Sequence, residues 1–418
     1  MSILSNKRIL LGVTGSIAAY KAADLASKLT QAGAQVDVIL TGAAEKFITP
    51  LTFQSVTGRR AYTEEDLWGN EAHILHVGLG HSADLLVIAP CTANTIAKLA
   101  HGQADSLLAV TALAVRSPLL IAPAMDGGMY DHPAMQENIE ILKKRGATFI
   151  GPAEGHLASG LSGVGRMLET AEVIGHIRIL LGQNGPLAGK KVVVTAGGTQ
   201  EPLDPVRVIT NRSSGKQGYA LAQAALDMGA QVTLITTPTS LTPPVGAKVI
   251  RVELAKEMLS SVLAESAKSD ALIMAAAVAD FRPKAMAKEK IKKEGGIPQI
   301  ELEATEDILK AVAQRRRPER VEGSETDCPH VVVGFAAESR DLLENALHKL
   351  KSKGLDFIAA NDISASGAGF AVETNRVTLL FQDGHKEVLP LMNKTEVAEN
   401  ILGWVSKLLE SYANSGHL

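Results

Sequence analysis

A chain of 418 residues is long enough for two or three domains, each burying its own core. Its 46% apolar and 21% charged residues are an ordinary globular mixture. A net charge of -3 gives no field for a polyanion, and an aromatic share of 4% argues against stacking platforms for single-stranded nucleic acid.

No apolar run approaches the ~20 residues needed to span a bilayer, so no membrane partner is expected. Met1 to Lys7 is polar and leads straight into a strand, with no signal-peptide apolar region, so a cytoplasmic location is expected. Two cysteines, Cys91 and Cys328, cannot make a cysteine zinc site alone, and no protein metal cluster is expected.

Short apolar runs alternate with helical patterns, as in a parallel sheet covered on both faces. Arg8–Val13 reads as the first strand, Ile17–Gln31 as an amphipathic helix stopping at Gly33, and Gln35–Leu40 as the second strand. Asp84–Ala89 and Leu119–Ala122 are later strands, each leading into Ala-Pro, and their unbroken apolar character predicts burial on both faces. Residues 184–189 read as a turn-rich linker, after which the pattern restarts. Strands are predicted at Lys191–Thr195, Gln231–Thr236, Asp270–Ala275, His330–Gly334 and Leu355–Ala359. Helices are predicted at Lys216–Met228, Asp341–Lys353 and about Thr395–Tyr412. Asp383-Gly384 between two apolar runs signals a hairpin, and polar, aperiodic Gln314–Pro329 a surface loop.

In the first half, Gly12-Val-Thr-Gly-Ser joins strand to helix. Gly15 permits a sharp turn, Thr14 and Ser16 offer hydroxyls, and the helix start points free N–H groups at the loop, a natural phosphate seat. The bland reading is a glycine turn with a serine cap. The loop lacks the G-x-G-x-x-G pattern, so NAD is not favoured. Thr41, Ala89-Pro-Cys-Thr-Ala-Asn94 and Ala122-Pro-Ala-Met-Asp126 follow neighbouring strands, and ligands of open α/β sheets bind at those ends.

Together GVTGSIAAYK, TGAAEKFITPLTFQSVTG, HVGLGHSADLLVIAP, PAMDGGMY and ASGLSGVGRM resemble the flavin-dependent cysteine decarboxylase family, whose best-known members act on 4′-phosphopantothenoylcysteine. The resemblance implies FMN, with its phosphate near Thr14, Gly15 and Ser16 and contacts at Thr41, Phe47 and Pro90 to Thr92. It makes His76 the active-site histidine and puts Met125 in the family's Pro-Ala-Met loop. Two positions depart: Asp126 stands where the family has Asn, and Ser159 where it has a proton-donating cysteine. The implied chemistry oxidises the substrate thiol to a thioaldehyde, releases carbon dioxide, then protonates and reduces the enethiolate. Serine is far less acidic than a thiol. Asp126 beside the substrate carboxylate would suffer like-charge repulsion and hold a proton, so it is expected to take over part of the missing work.

In the second half, Thr195-Ala-Gly-Gly-Thr and Asn211-Arg-Ser-Ser-Gly are successive small-residue loops suited to anions. Asp280 closes a strand where it can accept from a base or ribose. Lys349 and Lys353 lie four apart on one helix face and can reach the ligand edge, though solvated lysines would show the same spacing. Lys288 to Lys293 alone would read as a solvated turn.

The strings TAGGTQEPLDPVRVITNRSSGKQG, AAAVADFRP, KIKK, GFAAES and AANDIS together resemble the phosphopantothenate–cysteine ligase family. By that resemblance CTP activates the substrate as an acyl-cytidylate, from which the cysteine amine displaces CMP. Asn211 then acts in turnover of the acyl-cytidylate. Asp280, Phe335, Lys349 and Lys353 bind the nucleotide, with Ala275, Ala276 and Glu306-Asp307-Ile308 lining it. Lys290 neutralises the triphosphate as pyrophosphate leaves, and Mg2+ rides on the nucleotide.

The fold expected is α/β with two doubly wound domains, a flavodoxin-like or Rossmann-like flavoprotein over 1–183 and a Rossmann-like ligase over 190–418. The expected activity is a bifunctional conversion of 4′-phosphopantothenate to 4′-phosphopantetheine. The alternatives are a working ligase with a weakened or redirected flavin half, and a regulatory flavin-binding protein, against which the ligase motifs argue. An NADP oxidoreductase would want a lysine spaced after Tyr219, which is absent. Resemblance further implies trimeric flavin domains and dimeric ligase domains, hence a dodecamer.

Overall fold

The computed structural model describes residues 3–68, 72–157, 160, 162–292, 298–316, 328–338, 341–362 and 372–414. It divides into two compact units, Met1–Gly182 and Gln183–Leu418.

The first unit opens with β1 (Arg8–Val13), α1 (Ala19–Gln31), β2 (Gln35–Leu40), α2 (Pro50–Thr57) and β3 (Ala61–Tyr62). It continues with α3 (Ala72–Ser82), β4 (Leu85–Cys91), α4 (Ala93–Ala100), α5 (Leu107–Ala114) and β5 (Leu119–Pro123). After these come α6 (Gly127–Tyr130), α7 (Pro133–Lys144), β6 (Thr148–Phe149), β7 (Ala153–His156), β8 (Ser162–Arg166) and α8 (Thr170–Gly182). Six parallel strands pair in the order β3-β2-β1-β4-β5-β6, the Rossmann order. The first two strands fall where the apolar runs put them. The first helix begins two residues later than expected, because Ser16 Oγ accepts from Ala18 N at 3.3 Å in a turn ahead of it. Both sheet faces are covered: α1, α2 and α8 pack on one side, around Leu25, Leu29, Phe53 and Ile177. Ile96, Leu108 and Ile139 fill the other.

The second unit begins with β9 (Lys191–Ala196), β10 (Gln200–Pro202), β11 (Val208–Thr210), α9 (Lys216–Asp227), β12 (Gln231–Thr236) and β13 (Lys248–Arg251). Next are α10 (Ala255–Ser266), β14 (Ala271–Met274), β15 (Phe281–Pro283), β16 (Leu302–Ala304), α11 (Ile308–Arg316) and β17 (Val331–Glu338). The unit ends with α12 (Leu342–Ser352), β18 (Phe357–Asp362), β19 (Thr374–Asn375), β20 (Val377–Phe381), β21 (Lys386–Val388), β22 (Met392–Asn393) and α13 (Lys394–Asn414). Its sheet order is β13-β12-β9-β14-β17-β18-β20-β21, parallel until the last two strands. Those two form the hairpin signalled by Asp383-Gly384, with Gly384 at φ +87°. Of the loop expected over Gln314–Pro329, Gln314–Arg316 instead continue α11, and residues 317–327 lie outside the described residues.

The linker expectation needs correcting. Leu187 is fully buried in the second unit's core, and its N–H donates to the Met228 carbonyl at 2.8 Å. An apolar residue inside a Gly/Pro-rich stretch was read with its neighbours as connection, but its side chain is core.

Candidate active sites

In each unit the sheet reverses its winding direction at the first strand, beside β4 in one and β14 in the other. A crevice opens at the carboxyl ends there, and each holds a cavity.

The first cavity, about 830 Å³, lies within the usual range for small-molecule sites. Gly15, Ser16 and Ile17 bring it the loop after β1, Thr41 to Ala43 and Phe47 the loop after β2, Thr92 to Thr95 the start of α4, and Ala124 and Met125 the loop after β5. Gly15 is required by contact: a Cβ there would stand 2.5 Å from the Ala43 Cβ. Thr92 caps α4, accepting from Thr95 N at 3.4 Å. Of the expected FMN contacts, Gly15, Ser16, Thr41, Phe47 and Thr92 line the cavity. Thr14 and Pro90 do not. The Thr14 hydroxyl donates to the Pro90 carbonyl at 2.8 Å and accepts from Thr92 N at 3.0 Å, clamping β1 to β4 behind the ligand surface.

Met125 and Asp126 are seated by β8. Met125 N donates to the Gly165 carbonyl at 3.0 Å, and Asp126 Oδ1 caps α6 by accepting from Gly128 N at 3.0 Å. An Asn side chain has the same capping oxygen, so Asp126 differs only in carrying a second oxygen in place of the amide nitrogen, without disturbing the turn. His76 sits on α3, off this cavity's lining, and its Nδ1 is buried without a hydrogen-bond partner among the described atoms. Ser159 lies outside the described residues. Cys91, expected in a flavin-contacting loop, is instead the last residue of β4 and wholly buried, and burial pushes its thiol up beyond useful acidity.

Sequence reasoning missed Glu64, Trp68 and the Lys98–Asp105 ion pair of 2.8 Å. They stand on helical turns or, for Asp105, in the bend before α5 rather than at strand ends, and no spacing marks them. Burial pushes Glu64 above the usual carboxylate range, opposed by the Leu107 N–H at 2.8 Å.

The second cavity, about 650 Å³, is more polar. Two hairpins rise beside it, β10–β11 and β15–β16, from the ends of β9 and β14. Thr199 Oγ1 accepts from Ala279 N at 2.9 Å, and Asn211 Nδ2 donates to the Val278 carbonyl at 3.0 Å, joining the two stems. Thr305 N donates to the Asp280 carbonyl at 3.0 Å, bringing Glu306-Asp307-Ile308 alongside. Ala275, Ala276, Asp280, Phe335, Lys349, Lys353 and Asn211 share this cavity with them. Lys353 Nζ is 3.2 Å from Asp307 Oδ2. Lys290 is exposed on a loop beside the hairpins and is not in the lining.

Gln217, Asn361, Asn375 and Lys394 also line the cavity. Gln217 and Asn361 lay in quoted strings; Asn375 and Lys394 did not, because they come from elements later in the chain. The Oδ1 atoms of Asn361 and Asn375 are buried and have no partner among the described atoms. Burial, reinforced by the Lys216 charge, pulls Lys394 below the ordinary lysine range. Among the described residues no group of three or more His, Cys, Asp or Glu could hold a metal ion, and no helix is long and apolar enough to cross a membrane.

Comparison with known proteins meets this architecture at both units. Residues 2–182 match the Flavoprotein family, and residues 187–409 match the DNA/pantothenate metabolism flavoprotein C-terminal domain. A Bacillus subtilis (strain 168) protein, "Coenzyme A biosynthesis bifunctional protein CoaBC", is 46% identical over 409 residues, covering 97% of this chain and 98% of its own. The protein of the same name from Vibrio vulnificus (strain YJ016) is 42% identical over 411 residues, covering 98% and 100%. A solved C-terminal domain of a protein of that name shares 38% identity, with a TM-score of 0.45, over 54% of this chain and 99% of that one. With both units matched in order and nearly end to end, the chain belongs to the bifunctional coenzyme A biosynthesis protein family.

Proposed function

We propose that the chain makes 4′-phosphopantetheine from 4′-phosphopantothenate, cysteine and CTP, ligating on the second unit and decarboxylating on the first. It is a bifunctional enzyme of coenzyme A biosynthesis, with a flavoprotein decarboxylase half and a ligase half. The observation that carries the finer reading is the pair of unlike cavities at equivalent sheet positions. One is lined mainly by hydroxyls and apolar side chains, with Glu64 and the Lys98–Asp105 pair among them, and the other is richer in lysines and carboxylates.

The first cavity fits FMN. The close Gly15–Ala43 approach, the Ser16, Thr41 and Thr92 hydroxyls and the start of α4 suit a phosphate, and exposed Phe47 and Met129 suit a flat ring. Bound flavin supplies the two-electron oxidation of the substrate thiol and returns the pair after carbon dioxide leaves. The protein then holds the substrate at the Met125–Asp126 loop and provides the proton. We assign that proton to Asp126, whose capped Oδ1 fixes the carboxyl, with Ser159 as its weaker companion. Asp126→Asn keeps the cap, so it should retain flavin and the melting temperature while product formation falls about tenfold or more. Carbon dioxide release and product formation at the parent rate would sink the assignment. His76 serves a flavin held by a neighbouring copy, which agrees with its place away from its own cavity. Exposed Ile17, Phe47, Trp68 and Met129 give that rim the apolar character of a subunit contact, consistent with a trimer. Exposed Val206, Val208, Phe281 and Leu302 do the same for a dimer of second units.

On the second unit, the phosphopantothenate carboxylate attacks the α-phosphorus of CTP, forming acyl-cytidylate and releasing pyrophosphate. The cysteine amine then attacks the acyl carbon, forming the amide and releasing CMP. Lys349 and Lys353 hold the nucleotide, Asp280 accepts from base or ribose, Phe335 packs on it, and Lys290 offsets the charge of the departing pyrophosphate. Asn211 faces the acyl-cytidylate. Mg2+ enters on the triphosphate. The purified protein should release pyrophosphate and CMP with phosphopantothenate, cysteine, Mg2+ and CTP. EDTA should abolish this release and leave decarboxylation of supplied 4′-phosphopantothenoylcysteine intact. Turnover with ATP and not CTP would overturn the nucleotide assignment, and turnover in EDTA the metal.

A further inference from the structure

Asp204 lies outside the cavity, yet it is 1% exposed and carries a charge. It sits in the turn between β10 and β11, three residues before Arg207. Its Oδ1 accepts from Val206 N at 2.8 Å and Arg207 N at 2.9 Å. Its Oδ2 accepts from Arg207 Nη1 at 3.1 Å and, across the chain, from Ile291 N at 3.1 Å. Arg207 Nη1 also donates to the Ile291 carbonyl at 3.0 Å, and Ala287 N donates to the Leu203 carbonyl at 3.0 Å. The segment 287–291 is thus fastened at both ends to this turn, and Lys290, between the fastenings, keeps an exposed side chain. The opposite end of the same hairpin leads to Asn211, in the cavity.

A buried carboxylate needs compensation, and here four donors supply it. Burial alone would push the Asp204 carboxyl up. The N–H bonds from Val206, Ile291 and Arg207, with the Arg207 charge, outweigh it and hold the group below the ordinary carboxylate range, so it is ionised at neutral pH. A neutral amide in its place would turn one acceptor oxygen into a donor facing other donors. The turn could close with Oδ1 alone; the second oxygen is spent on the Lys290 segment.

We infer that Asp204 is a positioning residue for the ligase reaction, anchoring the Lys290 segment to the hairpin that carries Asn211 so that Lys290 reaches the triphosphate. This rests on the assignment of Lys290 to pyrophosphate departure. Because Asp204 and Ile291 touch neither base nor ribose pocket, the effect falls on the step in which pyrophosphate leaves and not on nucleotide affinity.

The test is pyrophosphate release by the full chain, with decarboxylation of supplied substrate as an internal reference. Asp204→Asn should lower the rate of pyrophosphate release at saturating CTP on the order of 10- to 100-fold, leaving CTP dissociation within about threefold and decarboxylation unchanged. Ile291→Pro, which deletes the cross-chain donor on a surface segment and does not burden the core, should give the same pattern. In a Lys290→Gln background, Asp204→Asn should cost less than about twofold more, since the group it positions is gone. An undiminished further loss in that background, or a loss carried by CTP affinity, overturns the inference. A parent-like rate for Lys290→Gln alone would instead defeat the reading of Lys290. Should Asp204→Asn not fold, the Ile291→Pro and Lys290→Gln pair decides in the same way.

Discussion

Gly165→Ala should strip flavin from the first unit and lower that unit's melting transition by roughly 6–12 °C, corresponding to about 3 kcal/mol. Gly165 has φ +151°, a region that side-chain-bearing residues seldom enter, and a Cβ there would stand 2.2 Å from the Met125 carbonyl oxygen. The Gly127 nitrogen and Asp126 carbonyl carbon lie 3.2 and 3.3 Å from the same point. These obstacles are backbone atoms of the loop after β5, so no rotamer change relieves the contact. The loop must lift, breaking the 3.0 Å Met125 N to Gly165 O bond and moving Met125 out of the cavity wall. Gly163, two residues earlier on the same strand, has nothing within 4 Å of its imagined Cβ. Gly163→Ala should therefore change stability by less than about 0.5 kcal/mol. Visible absorbance after gel filtration and a thermal melt distinguish the two, and equal behaviour would refute the role given to β8.

Lys353→Met should raise the CTP KM of the ligase about 30-fold with kcat changed far less, a loss of about 2 kcal/mol. Lys353 and Asp307 form a partly exposed pair at 3.2 Å, with side-chain exposures of 24% and 31%, so the larger penalties of fully buried pairs do not apply. On the proposed reading two effects combine: a cation facing the nucleotide disappears, and the Asp307 carboxylate is left uncompensated against an anionic ligand. The double variant Lys353→Met/Asp307→Asn should recover part of the affinity, because it removes the second effect and keeps the first. Steady-state kinetics on the three proteins checks this. A kcat-dominated loss, or a double variant no better than the single, would move Lys353 from nucleotide binding to a structural role.

The strands were legible because burial on both faces demands apolar runs, and Arg8–Val13 and Leu85–Cys91 contain little else. The start of α1 was not, because Ile17 looks like an inward helix residue and is 61% exposed on the cavity rim. Thr14 shows the limit for hydroxyls. A threonine after a strand is chemically able to meet a phosphate, and only the fold reveals that Pro90 and Thr92, more than 70 positions away, already occupy it. Much of the second cavity's lining was readable because its residues cluster after strands and in short strings. Asn375 and Lys394 escaped because they join it from the edge hairpin region and the start of α13.

Leu187 decides where the two halves can be severed. A second half begun at residue 190 would lose a plug from its own interior, leaving a hole beneath α9 and the unanswered Met228 carbonyl. Emptying a leucine-sized site costs about 2–5 kcal/mol, a large fraction of what holds a domain together. The seam therefore lies ahead of Gln183, and the six residues, 184–189, that look like slack between two enzymes are part of the first course of the second.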